Sequence, residues 1–417
     1  MPRRRRTVAQ HARLRSPHPL GQLATLVAVA AVVAVVSVLG VASYTAYDLT
    51  ADFVDEAVVV QNQPPVPPDL GQLEGGVNMM VVGIDACEEN LIALFGERCE
   101  GPDSEGRLND VNILVHISDA PRKVTVVSFP RDLVFDAPAC DTSEGGRFDG
   151  GYLQINELYT YGGLSCVITA ISDMSGQQIQ FGAMVTFGGV IEITNAIGGV
   201  EICLASDMRD ENTGIDWEAG PRTIQGIEAL QFLRTRYGVG GSDLARVSNQ
   251  QQYMSRLARK LVSEEVLSNP ATVLRLASTG LRNVTPTQSL TNPLTLVQVA
   301  QAVKDVPFED IVFVQYPTVE APSDRNRVAP NYSAAEVLWD ALAANQAIEV
   351  TGDVSVNGGT VVADATPTPD ASPTEEAPPA EEVEPGTVDP ATGAVALPPS
   401  ISGSSAAQQT CSAGVVN

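Results

Sequence analysis

Histidine is nearly absent from this chain of 417 residues, which contains only three copies. His11 and His18 precede a long hydrophobic segment, and only His116 follows it. A Ser-His-Asp or Cys-His mechanism would therefore depend on His116. Because His116 lies in an apolar pattern that is typical of a strand, we expect a packed core histidine instead. The scarcity of histidine argues against hydrolases of these classes.

Paired cysteine motifs are also absent, since none of the six cysteines forms a Cys-x-x-Cys pair. This spacing argues against zinc-ribbon and thioredoxin-like sites. All six cysteines follow the hydrophobic segment, where we expect an oxidising environment. Cys87 and Cys99 close a short loop and are predicted to form a disulfide. The sequence leaves the pairing of the remaining cysteines open: Cys140, Cys166, Cys203 and Cys411.

Positive charge is scarce, because 25 lysines and arginines face 50 aspartates and glutamates, giving a net charge of -25. A chain this acidic does not bind nucleic acid through its overall field. Residues 1–20 contain six arginines and no acidic residue, whereas residues 351–417 contain nine acidic residues and no basic one. An anionic substrate would have to be held by a local cluster of arginines.

One long segment lacks charge altogether. Residues 23–47 contain no charged residue and are rich in Ala, Val and Leu. Because about 20 apolar residues span a bilayer, we predict a transmembrane helix here. The positive-inside rule makes residues 1–22 a cytoplasmic basic segment and places everything after Tyr47 outside the cell. The result is a single-pass cell-membrane protein. A cleaved signal peptide is the competing interpretation, although the run is long and lacks a clear cleavage site.

The remaining chain divides into three predicted regions. Residues 48–76 contain Pro-Pro-Val-Pro-Pro and read as a stiff proline-rich stalk. Residues 77–348 alternate strand and helix patterns, which predicts an α/β sandwich. Residues 349–417 form an acidic, proline-rich, low-complexity tail, which we expect to be disordered because it buries too little apolar surface. Strands are predicted at 78–85, 111–117, 124–129, 200–204 and 311–316, and helices at 165–174, 190–197, 227–232, 245–266, 294–303 and 334–344.

Two aspartates lie at the ends of neighbouring predicted strands. Asp110 precedes the second strand, and Asp132 follows the third in Ser128-Phe-Pro-Arg-Asp132. If these strands pair antiparallel, as their short connection indicates, both carboxylates lie at one edge of the sheet. Converging carboxylates are the ligands that Mg²⁺ prefers. Taken singly, each aspartate is also explained as a turn residue at a strand end.

Arginines recur in the segment Arg234-Thr-Arg-Tyr. In an extended segment Arg234 and Arg236 would point to the same face. Two neighbouring guanidinium groups repel each other unless an anion or carboxylates lie between them. Arginine fits phosphate bidentately, so the spacing is compatible with a phosphate site. A pair of surface salt bridges is the alternative interpretation.

A long predicted helix follows these arginines. Asp243 is placed as its N-cap, a role that could coexist with holding an arginine in place. Arg246 and Gln250 are four residues apart and should share one face of the helix. Further along, Arg256, Arg259 and Lys260 are expected to be ordinary solvated residues.

Taken together, these segments resemble the LytR-CpsA-Psr family over roughly residues 77–270. The matching stretches are Asn109-Asp110, Ser128-Phe-Pro-Arg-Asp132, Ile155-Asn-Glu-Leu-Tyr-Thr-Tyr-Gly-Gly163, Ala196-Ile-Gly-Gly-Val-Glu201, and Arg234-x-Arg236-Tyr with Asp243, Arg246 and Gln250. The predicted membrane anchor, stalk and extracellular domain also match the architecture of the family. The cysteines and the acidic tail resemble an actinobacterial member.

The resemblance implies a phosphotransferase that moves a glycopolymer from a polyprenyl-pyrophosphate carrier to peptidoglycan, at the C6 hydroxyl of N-acetylmuramic acid. It also implies a side activity as a pyrophosphatase. The implied fold is an α/β/α sandwich with a mixed central sheet and a hydrophobic tunnel for the prenyl chain. Asp110 and Asp132 would bind Mg²⁺, with Mn²⁺ as the alternative ion. The implied catalytic residues are Arg131, Asp132, Arg234 and Arg236, and the implied substrate-binding residues are Arg131, Arg234, Arg236, Asp243, Arg246 and Gln250.

One position departs from the family pattern, which often has Lys-Ile-Asn where this chain has Gln154-Ile-Asn156. A neutral glutamine cannot supply the charge of that lysine, so pyrophosphate binding would weaken unless Arg147 substitutes for it. A non-catalytic envelope scaffold that binds polyprenyl phosphate is therefore the alternative function. Transcriptional attenuation, an older label for the family, fits poorly because the predicted cytoplasmic segment is short and has no helix-turn-helix pattern.

Overall fold

The structure is a computed structural model in which the chain divides into two compact units, Met1–Ala51 and Asp52–Asn417. In the first unit it describes only scattered positions from 37 onwards. In the second it describes residues 52–61, 63–64, 76–88, 91–92, 99, 107–322, 324–355, 358–363, 384–389 and 392–415. None of the helices in these residues is long and apolar enough to cross a membrane. The predicted cytoplasmic segment, most of the predicted transmembrane helix and residues 65–75 of the predicted stalk lie outside the described residues.

Strands and helices alternate along most of the second unit. The strands are β1 (Val77–Ile84), β2 (Asn109–Ile117), β3 (Val124–Phe129), β4 (Val134–Ala137), β5 (Cys140–Asp141), β6 (Arg147–Phe148), β7 (Gly151–Gln154), β8 (Phe181–Thr186), β9 (Val200–Leu204), β10 (Met208–Asp210), β11 (Ile215–Trp217), β12 (Gly220–Ile224), β13 (Val284–Pro286), β14 (Ile311–Gln315), β15 (Thr318–Ala321), β16 (Asp324–Pro330), β17 (Ala347–Glu349), β18 (Thr360–Val362), β19 (Ala394–Ala396), β20 (Gly403–Ser405) and β21 (Thr410–Ser412). The helices are α1 (Leu158–Ser175), α2 (Phe187–Ala196), α3 (Ile227–Arg234), α4 (Asp243–Leu261), α5 (Glu264–Leu267), α6 (Pro270–Asn283), α7 (Pro293–Lys304) and α8 (Tyr332–Ala343).

A mixed sheet of seven strands forms the centre of this unit, in the order β13-β8-β1-β2-β3-β14-β20. The pairs β1–β8 and β3–β14 are parallel. The pairs β1–β2 and β2–β3 are antiparallel. Antiparallel neighbours can be joined by short connections, whereas the parallel pairs need long crossovers such as the one that contains α1. The predicted mixed central sheet is confirmed.

Helices cover both faces of the central sheet. On one face Met80 of β1 packs in a core with Leu164 of α1 and Trp339 of α8. On the other face Val77 of β1 packs in a second core against Leu296 of α7. Successive strand residues point to opposite faces, so a strand as apolar as β1 can supply both cores. Each fully buried side chain of this size stabilises the fold by about 1.5–3 kcal/mol.

A smaller sheet, in the order β12-β9-β21-β18, packs beside α3 and α4. Its core contains Ile202 of β9 together with Phe232 of α3 and Tyr253 of α4. β9 pairs antiparallel with β12 and parallel with β21. The disulfide Cys203–Cys411 joins the same two strands, β9 and β21. The predicted disulfide Cys87–Cys99 is confirmed, and Cys140 pairs with Cys166.

The prediction of a disordered tail at 349–417 is wrong for the part of that tail which the structure describes. β20 pairs with β14 at an edge of the central sheet. β18 and β21 complete the smaller sheet. These short strands obtain their hydrogen bonds from sheet edges that already exist, so the local composition does not reveal them. Residues 364–383 of the tail lie outside the described residues.

The expectation of solvated arginines late in α4 is wrong as well. Arg259 Nε donates to the carbonyl oxygen of Ala406 at 2.7 Å. Arg256 Nη2 approaches the carbonyl oxygen of Thr410 at 3.4 Å. Both acceptors belong to the C-terminal segment, which the sequence analysis treated as a tail.

The strands and helices that were predicted are present, but other elements were missed and several bounds differ. Strand β8 of the central sheet was not predicted. Helix α1 begins at Leu158 rather than Ser165, and α4 ends at Leu261 rather than 266. Helix α6 was not predicted, although Asn269 caps its first turn and Pro270 occupies its first position, both of which are helix-start signals. The helix buries no residue completely, although its apolar residues lie on one face. α3 continues to Arg234, two residues beyond the predicted end.

Candidate active site

The antiparallel pairing of β2 with β3 brings Asp110 and Arg131 together. Asn112 lies opposite Phe129, so the start of β2 and the turn after β3 share one edge of the sheet. Arg131 Nη1 donates a hydrogen bond of 2.8 Å to Asp110 Oδ1. Arg131 Nε lies 3.7 Å from Asp132 Oδ1. Both aspartates that were predicted to converge therefore adjoin one guanidinium group.

The Asp132 carboxylate accepts hydrogen bonds from three distant parts of the chain. Arg236 Nη2 donates to Oδ2 at 2.8 Å. Oδ1 accepts from Arg327 Nη1 at 2.8 Å and from Gln154 Nε2 at 3.3 Å. Gln154 ends β7, and Val134 of β4, its partner in the hairpin, follows the Asp132 turn closely. The sequence analysis missed Arg327 because no local pattern in β16 connects it with this site.

The first turn of α4 completes the arrangement. Ser242, and not Asp243, is the N-cap, because the Ser242 hydroxyl accepts from the Ala245 N–H at 3.0 Å. The predicted capping role of Asp243 is therefore wrong. Its Oδ2 instead accepts from the backbone N–H of Arg131 at 3.0 Å. Its Oδ1 lies 2.6 Å from Arg246 Nη2.

We refer to these charged side chains as the arginine–aspartate cluster: Asp110, Arg131, Asp132, Arg236, Asp243, Arg246 and Arg327. The three carboxylate side chains are no more than 9% exposed. Four guanidinium groups accompany the three carboxylates, so the cluster has one positive charge in excess within a chain of net charge -25. The buried Nε atoms of three of its arginines have no hydrogen-bond acceptor among the residues that the structure describes; they belong to Arg131, Arg236 and Arg246. An oxyanion would satisfy both the excess charge and these donors.

The electrostatic surroundings favour the charged forms of Asp110 and Arg131. Burial by itself would raise the pKa of Asp110, but the charges of Arg246 and Arg131 and a hydrogen bond from Arg131 lower it below the ordinary value of 3.8. Burial would lower the pKa of Arg131, and the neighbouring carboxylate of Asp110 outweighs this effect and raises it. These groups are therefore suited to hold fixed charges.

Arg234 and Arg236 were expected to point to the same face of an extended segment, and this expectation is wrong. Arg234 is the last residue of α3, and Thr235 turns the backbone to an extended conformation. The guanidinium carbon of Arg234 lies 5.3 Å from the centroid of the Phe187 ring. Arg234 thus points to the helical layer beside β8, whereas Arg236 reaches Asp132.

An apolar cavity of about 180 Å³ lies beside Arg234, between β1, β2, β8 and helices α2 to α4. Its charged or amide lining residues are Asp110, Arg234, Arg246 and Gln250. Its apolar lining includes Val81, Val185, Ile193, Leu230 and Leu257. The predicted shared face of Arg246 and Gln250 is therefore the face that α4 presents to this cavity. Gln250 Nε2 also donates to the carbonyl oxygen of Leu233 at 2.9 Å and so ties α4 to α3.

A residue that the sequence analysis missed, Asp210, fixes the loop that carries Arg236. Asp210 Oδ2 accepts from the Thr235 hydroxyl at 2.7 Å and from the Arg236 N–H at 3.1 Å. It also accepts from the Tyr237 N–H at 3.2 Å. Burial would raise the pKa of Asp210, but the hydrogen bonds from Thr235 and from backbone N–H groups lower it. A buried aspartate in a short hairpin gives no local signal of this role.

Arg147 lies away from the cluster. It is in the β5–β6 hairpin, with its side chain 63% exposed and 3.5 Å from Asp141 Oδ1. Its Nε lies 3.8 Å from Asp149. The structure therefore gives no support to Arg147 as the substitute for a lysine at position 154.

Within the described part of the chain, no three or more His, Cys, Asp or Glu side chains are grouped as metal ligands would be. The chemistry of Asp110 and Asp132 nevertheless suits a hard divalent cation. Asp110 Oδ2 lies 3.9 Å from Arg246 Nη1, which is beyond hydrogen-bonding distance.

Comparison with known proteins places the chain in one family. The model of the LytR_cpsA_psr family matches residues 42–348. A cell wall biosynthesis protein of Corynebacterium glutamicum, LcpA, is 28% identical over 237 residues, which are 51% of this chain and 45% of LcpA. A polyisoprenyl-teichoic acid–peptidoglycan teichoic acid transferase of Enterococcus faecalis, TagU, is 25% identical over 44% of this chain and 56% of its own length. The chain thus spans about half the length of these curated relatives.

The fold also has solved relatives. A LytR-Csp2A-Psr enzyme from Actinomyces oris superposes with a TM-score of 0.51 and 19% sequence identity. The match covers 69% of this chain and 95% of that one. At this identity the likeness supports the fold, including its mixed central sheet, and nothing finer.

Proposed function

We propose that this chain, which belongs to the LytR_cpsA_psr family, is a phosphotransferase that moves a glycopolymer from a polyprenyl-pyrophosphate carrier to peptidoglycan. The product would be a phosphodiester at the C6 hydroxyl of N-acetylmuramic acid. The teichoic acid transferase named among its relatives supports this class of reaction.

The observation that carries the proposal is the contact between an apolar cavity and a buried group of arginines. Arg234 and Arg246 line a cavity whose other walls are largely aliphatic. A polyprenyl pyrophosphate has this combination of properties, with an apolar chain attached to a charged head. Arg246 belongs both to the cavity lining and to the arginine–aspartate cluster, so chain and head could be bound at once.

The reaction needs little covalent participation by the protein. The acceptor hydroxyl oxygen attacks the phosphorus that carries the glycan, and the bond from this phosphorus to the bridging oxygen breaks. Polyprenyl phosphate leaves with the bonding electrons, and the hydroxyl proton passes to solvent or to a carboxylate of the cluster. Phosphoryl transfer mainly requires positioning and charge neutralisation, which fixed arginines provide. Water in place of the sugar hydroxyl would give the pyrophosphatase side activity.

Asp110 and Asp132 are the residues that would hold Mg²⁺, or Mn²⁺ in its place. The bound cation would supply charge neutralisation at the phosphate oxygens. Arg131 lies between the two carboxylates and keeps both oriented toward the same side of the sheet edge.

The proposed location is the outer face of the cell membrane, with the segment at 23–47 as a single-pass anchor and the N-terminus in the cytoplasm. Three disulfides in the described residues support an oxidising compartment. The acceptor, peptidoglycan, lies on the same side.

The test uses the full-length chain in detergent with a short-chain polyprenyl-pyrophosphate-linked saccharide and a soluble peptidoglycan fragment. Ile193→Trp fills the apolar cavity and should weaken lipid binding by about tenfold or more, because the chain loses its apolar contacts. Leu274→Trp adds bulk on the exposed side of α6 and serves as the matched control. Transfer that is unchanged in Ile193→Trp would contradict the proposed site. If the wild-type chain and the variants bind the lipid tightly and none of them turns it over, the non-catalytic scaffold is favoured instead.

A further inference from the structure

A second cavity, of about 590 Å³, adjoins the cluster and is lined by both charged and apolar side chains. Asp132, Arg236 and Asp243 line it from the cluster, and the segment Arg325–Val328 of β16 closes it from the side. None of its lining residues also lines the apolar cavity. We refer to it as the outer cavity.

Arg131 lies between the two cavities. It donates to Asp110, which lines the apolar cavity, and it adjoins Asp132, which lines the outer cavity. The arginines of the site are therefore divided. Arg234 and Arg246 face the apolar cavity, whereas Arg236 and Arg327 face the outer one.

Arg327 lies beside Gln154, the position at which this chain lacks the positive charge of the lysine in the family pattern. Arg327 Nη1 and Gln154 Nε2 donate to the same oxygen of Asp132, at 2.8 and 3.3 Å. The Arg327 side chain is 35% exposed, so it reaches both the cluster and the outer cavity. Its second ion pair, Nε to Asp324 Oδ2, is loose at 3.8 Å, and Asp324 is half exposed, so solvent screens it.

We propose that Arg327 is a further substrate-binding residue, which contacts the phosphate that is transferred. This inference rests on the proposed function. With the prenyl chain in the apolar cavity, the phosphate next to that chain lies by Arg234 and Arg246. The distal phosphate then lies across Arg131, by Arg236 and Arg327, and the attached saccharide enters the outer cavity. Arg327 supplies from β16 the positive charge that Gln154 lacks.

Two soluble probes separate the two phosphates: geranylgeranyl diphosphate and geranylgeranyl monophosphate, each titrated calorimetrically into the full-length chain in detergent. Arg327→Gln should weaken diphosphate binding by about tenfold to a hundredfold, as expected for a lost hydrogen bond between charged groups. Monophosphate binding should stay close to the wild-type value. Arg234→Gln should weaken the binding of both probes, because it acts on the phosphate next to the chain.

Rescue and control variants distinguish substrate binding from a purely structural ion pair. The double variant Gln154→Lys with Arg327→Gln should regain most of the diphosphate affinity, and Arg327→Lys should lose less than Arg327→Gln. Arg209→Gln removes an exposed hairpin arginine that pairs with Asp216 and should change neither affinity. Thermal melting of each variant shows whether the fold is retained.

The outcomes separate the two proposals. If Arg327→Gln binds both probes as the wild type does, the inference about Arg327 is wrong while the proposed function stands. If it weakens both probes equally, Arg327 supports the cluster only and does not select the distal phosphate. If the wild-type chain binds neither probe, the proposed function itself fails.

Discussion

Helix α4 is held at its two ends by different chemistry. Its first turns enter the arginine–aspartate cluster, where Asp243 and Arg246 form a buried ion pair of 2.6 Å. Its second half is held by the C-terminal segment, where Arg259 donates to a backbone carbonyl and a disulfide closes β21 onto β9. Ion pairs between charged side chains define one end, whereas arginine donors to backbone carbonyl oxygens and a disulfide define the other.

This difference assigns function to the first turns of α4 and stability to its second half. Buried ion pairs contribute little net stability, because desolvation offsets their attraction, although breaking one is costly. Backbone contacts and a disulfide contribute stability without placing charge anywhere near a substrate. We therefore expect variants in the cluster to affect turnover most and variants in the C-terminal segment to affect unfolding most.

The largest effect is expected for the disulfide between β9 and β21. Cys203→Ser with Cys411→Ser removes a link between residues 208 positions apart, whereas Cys87→Ser with Cys99→Ser removes one of 12. Loop entropy predicts losses of about 5 and about 3 kcal/mol in the free energy of unfolding, respectively. Urea denaturation of both double variants measures the difference. At temperatures well below the melting temperature, turnover should stay near the wild-type rate. A large loss of turnover in the folded Cys203/Cys411 variant would contradict the assignment of stability, and not function, to the C-terminal segment.

The next effect is expected at the opposite end of α4. Arg236→Ala removes a guanidinium group that lies 2.8 Å from Asp132 Oδ2. Transfer should fall by about 100- to 1000-fold, which is typical when a preorganised charge that stabilises a transition state is lost. The fold should persist, because Asp132 keeps its contact with Arg327. Turnover and melting temperature are measured on the same preparation, with Arg209→Ala as the control for loss of a surface arginine. Full activity in Arg236→Ala would show that the arginine–aspartate cluster does not take part in the transfer.

The comparison also shows what the sequence could reveal. The convergence of Asp110 and Asp132 was predictable, because it follows from two adjacent strands with a short connection. The roles of Asp210 and Arg327 were not predictable. β10 and β16 lie outside the stretches that resemble the family, and their contacts depend on tertiary packing. Six of the helices and the strands β1, β2, β3, β9 and β14 followed from apolar periodicity, whereas the central strand β8 and the short strands did not.

The C-terminal strands were missed for a related reason. Their acidic and small-residue surroundings give no periodic signal, and their stability comes from sheet edges formed by β9 and β14. Cys411 was the one available clue, because a cysteine in a predicted extracellular tail needs a partner. Sequence reasoning could not choose Cys203 as that partner.

The pH dependence of the fold must be separated from that of the cluster, and His116 permits this. Burial lowers the pKa of His116 to about 4. Asn78 Nδ2 donates to Gln178, so Asn78 Oδ1 accepts from His116 Nδ1 at 2.8 Å, and the buried Nε2 has no partner. The unfolded chain takes up this proton near pH 6.5, and the folded chain takes it up only near pH 4. Stability should therefore fall by about 3 kcal/mol as the pH drops through this window.

His116→Asn keeps a donor in the position of Nδ1 and removes the titrating ring. The unfolding free energy of this variant should be lower at pH 7 because of the cavity that it leaves, but flatter between pH 6.5 and 4. Denaturation at a series of pH values gives both slopes. If the slopes are equal, His116 does not titrate as its burial requires. Any pH dependence of turnover that survives in this variant then belongs to the site.

The smallest effect is expected where α4 meets β20. Arg259→Ala removes the Nε and Nη2 donors to the carbonyl oxygen of Ala406 and a contact of 5.1 Å with the Phe308 ring. The unfolding free energy should fall by about 1–2 kcal/mol, the cost of leaving a partly buried acceptor unpaired. Arg256→Ala is the matched control, with a smaller loss because its contact with Thr410 is long at 3.4 Å. Neither variant should change turnover. If Arg259→Ala lowered turnover without lowering stability, the two ends of α4 would be coupled, and the C-terminal segment would belong to the functional site.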